Sequence, residues 1–559
     1  MTDSNNSSFT FFSPTLKAIK VNSLKRIQLS PIGLTLLFSA YFLLVFNTPF
    51  WTQVIKGVET LNEVNYFFFA SIPLTLWALL TIVLLFFCIK YLQKPLLFIL
   101  SIVAACACFA TTTYGIVFDA GMIANIFETS NREALSYFSF RTIAHISLLL
   151  VFPVLLLLKT QIIYKSPVMH IAHMVRCVLV CLIVIAINGF FFYPNYASFF
   201  RDNNHVRDVI NPSSYIRQSI KYVKNHYILP PAEHRQIGMD ATAKKTSQAR
   251  TIVIVLGETA RAMNYPAAGY QRQTTRHTND IDMVHIADVD TCGTATTISL
   301  PCMFSKLTRK GFDKKSAIYQ DNVLDIIQRG DYQVTWIENS DGCKDVCRRI
   351  GYEGIPPKKE HPLCDGMYCY DEILLEKLDA ELSKTRTSAQ DRLIVLHVMG
   401  SHGPTYYKRY PDSHRQFTPD CQRSDIQNCT RQELVNTYDN TILYTDFIVA
   451  SSIRKLKSLK QDAMLMYISD HGESLGEKGV YLHGLPYAIA PIEQKKVPWQ
   501  LWFSSQYINN THLSKHCLRK QTSGKTLSHD HFFHTLLAAS GVSTVEYDKK
   551  LDILQGCQR

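Results

Sequence analysis

The sequence lacks features that mark several protein classes. It contains no internal repeat and no low-complexity tract, which excludes a repeat array and a disordered chain of biased composition. No stretch interleaves Arg or Lys with aromatic residues as a nucleic-acid groove requires, so we expect no nucleic-acid partner. No small-residue cleavage site follows the first apolar segment, and we therefore expect a retained signal anchor rather than a removed signal peptide.

Composition divides the chain into two unlike halves. A length of 559 residues predicts two or three structural units. Long apolar runs continue to about residue 192, whereas the sequence after about residue 201 is mixed and charged, and the mean hydropathy of +0.00 averages the two halves. The formal net charge of +12 suits an anionic partner, and the apolar half makes membrane lipid the leading candidate.

Five apolar segments are long enough to cross a bilayer, which takes roughly 20 residues. They comprise residues 31–51, 66–89, 95–118, 142–158 and 177–193. Basic residues concentrate in the N-terminal tail and in the second and fourth connections: Lys17, Lys20, Lys25, Arg26, Lys90, Lys94, Lys159, Lys165 and Arg176. The first and third connections carry more acid than base: Glu59, Glu63, Asp119, Glu128 and Glu133 against Lys56, Arg132 and Arg141. The positive-inside rule places the N-terminus in the cytoplasm and the large C-terminal half outside.

Cysteine usage supports this topology independently. Five cysteines lie in the predicted spans, where single thiols pack as small apolar groups: Cys88, Cys106, Cys108, Cys177 and Cys181. The other ten predict disulfides in an oxidising compartment: Cys292–Cys302, Cys343–Cys347, Cys364–Cys369, Cys421–Cys429 and, by remainder, Cys517–Cys557. Sequence alone leaves the connectivity open, and a zinc ribbon is the alternative for the closely spaced Cys343 and Cys347.

The C-terminal half has the pattern of an α/β domain with a largely parallel central sheet. Residues 251–256, 393–398 and 463–468 are continuous apolar runs typical of strands buried on both faces, and helical patterns at 321–329, 371–383 and 434–459 alternate with them. We place a membrane domain of five helices at 1–198, a linker at 199–249 and a catalytic domain at 250–559.

The linker contains a predicted amphipathic helix. Its apolar stripe consists of Ile216, Ile220, Val223 and Tyr227, and a basic stripe lies beside it: Arg217, Lys221 and Lys224. The pattern fits two arrangements equally well: a helix that lies on the membrane surface, or a helix that packs on the soluble domain.

Each of the three predicted strands ends in residues suited to metal chemistry. Glu258 follows the first strand, His397 lies at the end of the second and His402 comes after it, and Asp470 and His471 follow the third, with His483 soon after. Sites in such sheets form at the carboxyl ends of the strands, and carboxylate and imidazole are ligands for zinc or manganese. Asp470 and His471 can share one ion only if the strand has ended, which the following Gly472 favours. Taken singly, each is more often a capping or hydrogen-bonded structural residue; together they predict a metal site.

A hydroxyl-rich segment supplies the candidate nucleophile. Residues 290–304, here called the nucleophile segment, contain Thr291, Thr294, Thr296 and Thr297 between paired cysteines. A threonine at the start of a helix would lie where amide groups favour an anion, and metal coordination would make its hydroxyl nucleophilic. N-capping is the structural alternative, and the residues alone do not separate the four threonines.

These motifs together resemble the phosphoethanolamine transferases of Gram-negative inner membranes, of the lipid A–modifying EptA and mobile colistin-resistance type. The motifs that carry the resemblance are Gly257-Glu-Thr-Ala-Arg261, Cys292-Gly-Thr-Ala-Thr296, Pro301-Cys-Met-Phe304, Gly400-Ser-His-Gly-Pro404, Ser469-Asp-His-Gly-Glu-Ser474 and Tyr481-Leu-His-Gly484. The resemblance covers nearly the whole chain and implies five spans, a linker and a periplasmic domain of the alkaline phosphatase/sulfatase type in a multi-pass inner-membrane protein.

The resemblance also implies residue roles. Thr296 matches the nucleophile, and Glu258, Asp470 and His471 match the other ligands of one tightly bound zinc. A second zinc is left open. Further positions match residues that contact the substrate phosphate, a second metal or the phosphoethanolamine group: His402, His483, His397, Asn339 and Lys344. In the third connection, the resemblance marks a lipid-binding loop that contains Met122, Asn125, Glu128 and Thr129. A short amphipathic helix facing the interface is the alternative for this loop.

The implied activity is transfer of phosphoethanolamine from phosphatidylethanolamine to a phosphate of lipid A through a phosphoethanolamine-threonine intermediate. We expect a monomer, lower negative charge on the lipopolysaccharide and resistance to polymyxin and other cationic peptides. Alternative acceptors are a core sugar or a protein. The rival classes are a phosphoglycerol transferase, a phosphatase or sulfatase, and a non-catalytic sensor. A sulfatase expects Cys-x-Pro-x-Arg, which Cys302-Met-Phe-Ser-Lys306 does not provide.

Overall fold

The computed structural model describes residues 26–59, 65–129, 131–202, 204–228, 233–244, 248–385 and 390–558. Four charged residues used above for the predicted orientation lie outside these ranges: Lys17, Lys20, Lys25 and Glu63. The described chain forms a helical N-terminal part followed by a large mixed sheet with helices on both faces.

The N-terminal part consists of apolar helices that fall on the five predicted segments. Tyr66–Leu85, Gln93–Tyr114, Phe140–Lys159 and Pro167–Asp202 are each long and apolar enough to cross a membrane. Helix Pro31–Tyr41 continues through the π-helical turn Phe42–Phe46 and bends by 54° into Thr48–Glu59. Within the described residues there are therefore four candidate spans, or five if the bent pair is one span. Short strands Ile27–Leu29 and Thr160–Ile162 pair in parallel.

The last of these helices is longer than the sequence predicted. It begins at Pro167, ten residues before the predicted residue 177, because His170 and Arg176 are too polar for a bilayer core yet fit a helix. Its backbone departs from helical geometry at Phe192, two residues before Pro194, where a proline inside a helix forces a kink.

Helices outside the spans pack on one another through aromatic residues. Ala120–Glu128 and Asn131–Ser136 lie in the third connection, and the linker forms Ser213–Val223 and the π-helical turn Lys224–Ile228. The linker helix contacts the third connection through Tyr222, whose ring stacks on Phe127 at 4.7 Å between centroids. Its buried Tyr215 packs edge-on against Phe118, with 6.4 Å between ring centroids. Two residues of the predicted apolar stripe, Ile220 and Tyr227, are 64% and 69% exposed. Tyr222 and Ile216 therefore pack against the core of the membrane half, whereas Ile220 and Tyr227 of the predicted stripe face outward. A helix lying on the membrane surface stays a prediction.

The C-terminal half is built on an eight-stranded sheet within the described residues. Its strands are β1 (Arg250–Gly257), β2 (Val284–Asp290), β3 (Gln333–Glu338), β4 (Gly351–Gly354), β5 (Arg392–His397), β6 (Asp462–Ser469), β7 (Lys496–Phe503) and β8 (Leu527–Ser528). They lie in the order β8-β2-β7-β6-β1-β5-β3-β4, and only β7 runs antiparallel to its neighbours. The predicted largely parallel sheet is confirmed, and the three strands found by sequence, β6, β1 and β5, are adjacent at its centre.

Both faces of the sheet are covered by helices. These are Thr296–Met303, Lys314–Ile318, Val323–Arg329, Ile373–Thr385, Arg431–Leu459, Ser505–Thr511, Lys515–Thr522 and Asp530–Ser540. Alternate residues of β1 enter two separate cores: Ile252 and Ile254 pack in one, and Val253 and Val255 in the other. This two-sided burial explains the continuous apolar run. Two short strand pairs complete the domain: Thr242–Ala243 with Val542–Ser543, and Ser474–Leu475 with Tyr481–Leu482.

Five disulfides join the ten cysteines of the C-terminal half. They are Cys292–Cys302, Cys343–Cys347, Cys364–Cys369, Cys421–Cys429 and Cys517–Cys557. The predicted pairing, including the pair reached only by remainder, matches this connectivity. The predicted span cysteines are all free thiols: Cys88, Cys106, Cys108, Cys177 and Cys181.

A buried ion pair at the start of the sheet gives a stability prediction. Arg250 begins β1 and donates to Asp462 of β6 through Nε at 3.3 Å and Nη2 at 3.1 Å, with both side chains at most 6% exposed. Asp462→Asn would leave the guanidinium buried without its counter-ion, so we expect a loss of about 3–5 kcal/mol of stability. Thermal unfolding of the purified full-length protein measures it. Asp379→Asn, which breaks the more exposed pair with Lys455, should cost less than about 1 kcal/mol. Equal losses in the two variants would contradict the prediction.

Candidate active site

Two adjacent strand ends bring the predicted metal ligands together. β1 and β6 pair in parallel up to Gly257 and Ser469, so Glu258 and Asp470 leave the sheet side by side. The chain then turns at Gly472, where a Cβ atom would lie 2.1 Å from the carbonyl oxygen of Glu493. Only glycine fits this close approach, and the turn lets Asp470 and His471 point to the same place.

Thr296 reaches this cluster from a helix start. It is the first residue of helix Thr296–Met303, preceded by Ala295 in extended conformation. Its Oγ1 donates to Glu258 at 3.1 Å from Oε1 and 3.2 Å from Oε2, and lies 3.3 Å from Nε2 of His471. Among the four candidate threonines, the structure thus places Thr296 on the carboxylate–imidazole cluster.

The donor atoms of this cluster fit a divalent cation. Ligand atoms of Glu258, Asp470 and His471 lie within 4.8 Å of one another, and all three residues are buried. Asp470 Oδ1 accepts backbone N–H groups, but its buried Oδ2 has no hydrogen-bond partner. Nδ1 of His471 hydrogen-bonds the carbonyl of Gly472 at 2.9 Å, which leaves Nε2 for an ion. These three residues could therefore hold one metal ion together.

Electrostatics point to the same conclusion. Burial, together with the charge of Glu258, raises the pKa of Asp470 to about 6. Against the effect of burial, the carboxylates of Asp470 and Glu258 raise the pKa of His471 to about 10. Two buried carboxylates that repel one another create a negative potential at this point, and a cation relieves it.

His402 and His483 stand beside the cluster with one nitrogen each already used. Nδ1 of His402 bonds the carbonyl of Gly403 at 2.9 Å. Nδ1 of His483 bonds Glu473 at 2.9 Å, and Glu473 in turn accepts from the hydroxyl of Tyr406 at 2.8 Å. The centroid of the His483 ring is 4.4 Å from that of His471 and 5.6 Å from that of His402. Both histidines line the same cavity as Thr296, with Nε2 unused by these bonds.

His397 lies one layer behind the cluster. Its Nδ1 is 2.9 Å from Glu338, and its buried Nε2 is 3.7 Å from Glu258 without a hydrogen bond. Glu338 is itself held by the indole of Trp336 at 2.8 Å. Against burial, the charge of Glu338 raises the pKa of His397 to about 10. A charged His397 would stabilise the Glu258 carboxylate from the side opposite the cavity.

The two residues of the predicted headgroup stretch have different surroundings. The amide of Asn339 donates to Asp371 at 2.8 Å and to the carbonyl of Cys369 at 3.1 Å. Lys344 lines the cavity and donates through Nζ to the carbonyl of Asp341 at 2.8 Å. From this stretch Asp341, Ser340 and Lys344 therefore face the cavity, while the Asn339 side chain braces the loop.

The third connection of the membrane half closes over the nucleophile segment. Asn125 accepts a hydrogen bond from the hydroxyl of Thr297, and Glu128 forms an ion pair with Lys314 at 2.9 Å. Thr129 donates to the carbonyl of Asn125 at 2.6 Å, which fixes the end of helix Ala120–Glu128. Met122 and these loop residues line the same cavity as Thr296. The predicted lipid-binding loop is thus in contact with the catalytic half.

The cavity joins a polar end to an apolar end. Its volume is about 560 Å³. Thr296, Glu258, His402 and His483 line the polar end. The apolar lining comes from the membrane half and includes Val103, Cys106, Ala107, Ala110, Phe138 and Ile146. A molecule with a phosphate headgroup and hydrocarbon chains suits both ends.

Sequence reasoning missed several residues of this site. Glu133 was counted only as a loop charge, yet its carboxylate is 3.6 Å from Nε2 of His402, and these two with Asp341 could form a second group of metal ligands. Glu473 stands inside a motif that the sequence singled out, so its proximity to His483 could have been suspected. His529 gave no signal; burial lowers its pKa to about 3, and its ring contacts both the nucleophile segment and β6.

Comparisons with known proteins agree with this geometry. The family model "Phosphoethanolamine transferase EptA/EptB" matches residues 76–227, and the model "Sulfatase" matches residues 250–542. A phosphoethanolamine transferase EptA from Escherichia coli strain K12 is 38% identical over 547 residues, covering 96% of this chain and 98% of the relative. Its Salmonella typhimurium counterpart is 37% identical over 543 residues, covering 96% of this chain and 98% of the relative.

A solved structure extends the match to three dimensions. The integral membrane lipooligosaccharide phosphoethanolamine transferase A from Neisseria meningitidis superposes with a TM-score of 0.90 at 34% identity, covering 95% of this chain and 99% of that one. Identity at this level over nearly the full length of both chains is decisive for common descent and fold. The chain therefore belongs to the EptA family of phosphoethanolamine transferases, with a sulfatase-type catalytic domain behind its membrane helices.

Proposed function

We propose that this protein transfers phosphoethanolamine from phosphatidylethanolamine to a phosphate of lipid A, at the periplasmic face of a Gram-negative inner membrane. The observation that supports it is one cavity in which the Thr296 hydroxyl, 3.1 Å from Glu258, meets an apolar lining supplied by the membrane half. We further propose a monomer with the domain boundaries 1–198, 199–249 and 250–559.

Glu258, Asp470, His471 and Thr296 are the residues that would hold a zinc ion. When bound, zinc would act as a Lewis acid that lowers the pKa of the threonine hydroxyl and offsets the charge on the phosphoryl oxygens. His402 and His483 are placed to bind the donor phosphate, or a second zinc. The unpartnered Asp470 Oδ2 supports the first of these two metal positions.

The first step is attack by Thr296 on the donor. A bond forms between Oγ1 and phosphorus, and the bond between phosphorus and the glycerol oxygen breaks. The Thr296 hydroxyl gives its proton to the Glu258 carboxylate, which accepts its hydrogen bond at 3.1 Å. His402, which lines the same cavity, gives a proton to the departing glycerol oxygen. First-turn amides of helix Thr296–Met303 face the developing negative charge.

The second step releases the intermediate. An oxygen of the lipid A phosphate attacks phosphorus, the bond to Oγ1 breaks, and Thr296 takes back the proton that Glu258 received in the first step. Both lipids reach the cavity from the same leaflet, because the membrane half forms one of its walls, and this raises their effective concentration. The added ammonium lowers the negative charge of the acceptor and weakens its electrostatic attraction for cationic peptides such as polymyxin.

Labelled lipids test this proposal. The purified full-length protein, incubated with phosphatidylethanolamine labelled in its headgroup, should acquire the label on the peptide that contains Thr296 and pass it to added lipid A. Labelled phosphatidylglycerol should not substitute. Lipid A from expressing cells should carry phosphoethanolamine by mass spectrometry, and these cells should be less susceptible to polymyxin.

Each rival gives a different result. A phosphoglycerol transferase would prefer labelled phosphatidylglycerol, a phosphatase would release the headgroup to water, and a sensor would label no peptide. Label on Thr296 with unmodified lipid A would instead favour a core sugar or a protein as the acceptor.

A further inference from the structure

The position of Thr296 relative to the metal ligands is not set by the sheet. Glu258 and Asp470 are fixed to one another by the ladder between β1 and β6. Thr296 belongs to the nucleophile segment, which leaves β2 and lies outside that ladder. The 3.1 Å contact between Thr296 and Glu258 must therefore be maintained by contacts between this segment and the ends of β1 and β6.

One imidazole joins the two parts directly. His529 follows the short edge strand β8 and is 1% exposed. Its Nδ1 accepts the backbone N–H of Cys292 at 3.2 Å, and its Nε2 bonds the carbonyl oxygen of Ser469 at 3.0 Å. Cys292 lies in the nucleophile segment, and Ser469 is the last residue of β6, immediately before Asp470.

The hydrogen-bond pattern defines the state of this ring. A backbone N–H can only donate, so Nδ1 of His529 must be unprotonated. The carbonyl of Ser469 can only accept, so Nε2 carries the proton. The ring is a neutral single tautomer that presents one acceptor to the segment and one donor to the strand.

Two other contacts lie at the same junction. The hydroxyl of Ser299 donates to the carbonyl of Asp470, and the disulfide Cys292–Cys302 ties the segment to its own helix. The Ser299 hydroxyl lies 3.4 Å from Nδ1 of His529, so the ring also adjoins the helix of Thr296. His529 thus contacts two parts of the nucleophile segment, Cys292 and the helix of Thr296, and also the end of β6.

We propose that His529 is a positioning residue for the transfer reaction, holding the nucleophile segment at the end of β6 so that the Thr296 hydroxyl meets the metal-ligand cluster. His529 touches neither substrate nor the reacting atoms, and it acts through Cys292 and Ser469. The assignment rests on the proposed function, since it concerns the attack by Thr296. Loss of this contact should lower the rate of attack, because a nucleophile displaced by about 1 Å loses roughly 100-fold in rate.

Substitutions of two buried histidines, His529 and His534, test the assignment. His529→Leu removes both hydrogen bonds, whereas His529→Gln keeps one acceptor and one donor near the two ring-nitrogen positions. His534, on helix Asp530–Ser540, is 2% exposed and bonds the N–H of Asp548 at 3.0 Å, away from the cluster. His534→Leu is therefore the matched control for the loss of a buried imidazole.

The measurements are kcat and KM for headgroup labelling of Thr296, the bound zinc and the unfolding temperature of each full-length variant. We expect His529→Leu to lower kcat about 100-fold with KM for phosphatidylethanolamine and zinc content unchanged. His529→Gln should recover kcat to within about tenfold of the unsubstituted protein, and His534→Leu should lower only the unfolding temperature. A merely structural role would lower the unfolding temperature without this split and without recovery by glutamine.

Several outcomes would overturn the assignment: an unchanged kcat in His529→Leu, an equal loss in His534→Leu, or a Gln variant as slow as the Leu variant. If His529→Leu does not fold, His529→Asn decides, because its shorter amide reaches only the Cys292 side. Equal kcat for the Gln and Asn variants then rejects the assignment. Failure of the unsubstituted protein to label Thr296 would instead reject the proposed function.

Discussion

Replacing Thr296 by alanine is expected to reduce phosphoethanolamine transfer by roughly 10⁴-fold or more, the scale on which a covalent mechanism loses rate without its nucleophile. Thr296 is the candidate threonine whose hydroxyl lies on the cluster, 3.1 Å from Glu258 and 3.3 Å from His471. Without that oxygen no bond to phosphorus can form, so both labelling of the protein and transfer to lipid A should disappear. Headgroup-labelled phosphatidylethanolamine and mass spectrometry of the peptide containing residue 296 measure the two steps separately.

Neighbouring threonines provide the controls. Thr291→Val removes a buried hydroxyl from the same segment without changing the side-chain volume greatly, and it should leave transfer within about twofold. Thr296→Ser keeps an attacking hydroxyl and should retain measurable labelling. Normal turnover in Thr296→Ala, or loss of turnover in Thr291→Val equal to that in Thr296→Ala, would remove the basis for the mechanism.

The convergence of the proposed metal ligands was predictable from the sequence because strand ends are predictable. Continuous apolar runs reveal central parallel strands, and the residue that follows each run must emerge at one edge of the sheet. Glu258, Asp470 and His471 therefore converge by topology alone, and the close approach at Gly472 explains how two consecutive side chains share one site. The structure adds little here beyond distances.

The choice of Thr296 as the proposed nucleophile was less accessible to the same reasoning. The four threonines, which lie within seven residues, differ only in their position relative to the start of the helix. The helix has Ala295 at its cap position, so the sequence carries no capping signature that would mark this start. The helix begins at Thr296 because the segment is held in place by distant residues. His529 lies 237 positions from its partner Cys292, a separation that no local pattern reveals.

Contacts between the two halves were the hardest to foresee. Asn125 was assigned by resemblance to a lipid-binding loop, and Glu133 was counted only as a charge of the third connection. Their approach to Thr297 and His402 depends on how the membrane half packs on the C-terminal half. The same limit applies to the linker helix. Periodicity identified the apolar stripe Ile216, Ile220, Val223 and Tyr227, but it gave no sign that Tyr222, outside the stripe, would stack on Phe127.

Substitution of Asp470 by asparagine is expected to lower zinc affinity by roughly 100-fold or more and to abolish transfer with it. The buried Oδ2 of Asp470, which has no hydrogen-bond partner, would become an NH₂ group that cannot bind a cation. Burial and, second to it, repulsion by the Glu258 carboxylate raise the pKa of Asp470 to about 6. The same change removes the charge that takes part in this repulsion. The metal-free protein should therefore be no less stable in the variant, while stabilisation by metal is lost.

Thermal unfolding with and without zinc separates these two effects. A ligand at 100 times its Kd stabilises a folded protein by about 2.7 kcal/mol, so zinc should raise the unfolding temperature of the unsubstituted protein and a chelator should reverse the rise. Asp470→Asn should show no such response. Asp446→Asn is the matched control. Asp446 lies on helix Arg431–Leu459 and is also a buried carboxyl, but it accepts a hydrogen bond from Thr278 and does not belong to the cluster. The Asp446→Asn variant should bind zinc normally. A zinc response retained in Asp470→Asn would contradict the prediction and place the metal elsewhere, because a site that includes Asp470 cannot keep its affinity when the unpartnered Oδ2 is replaced.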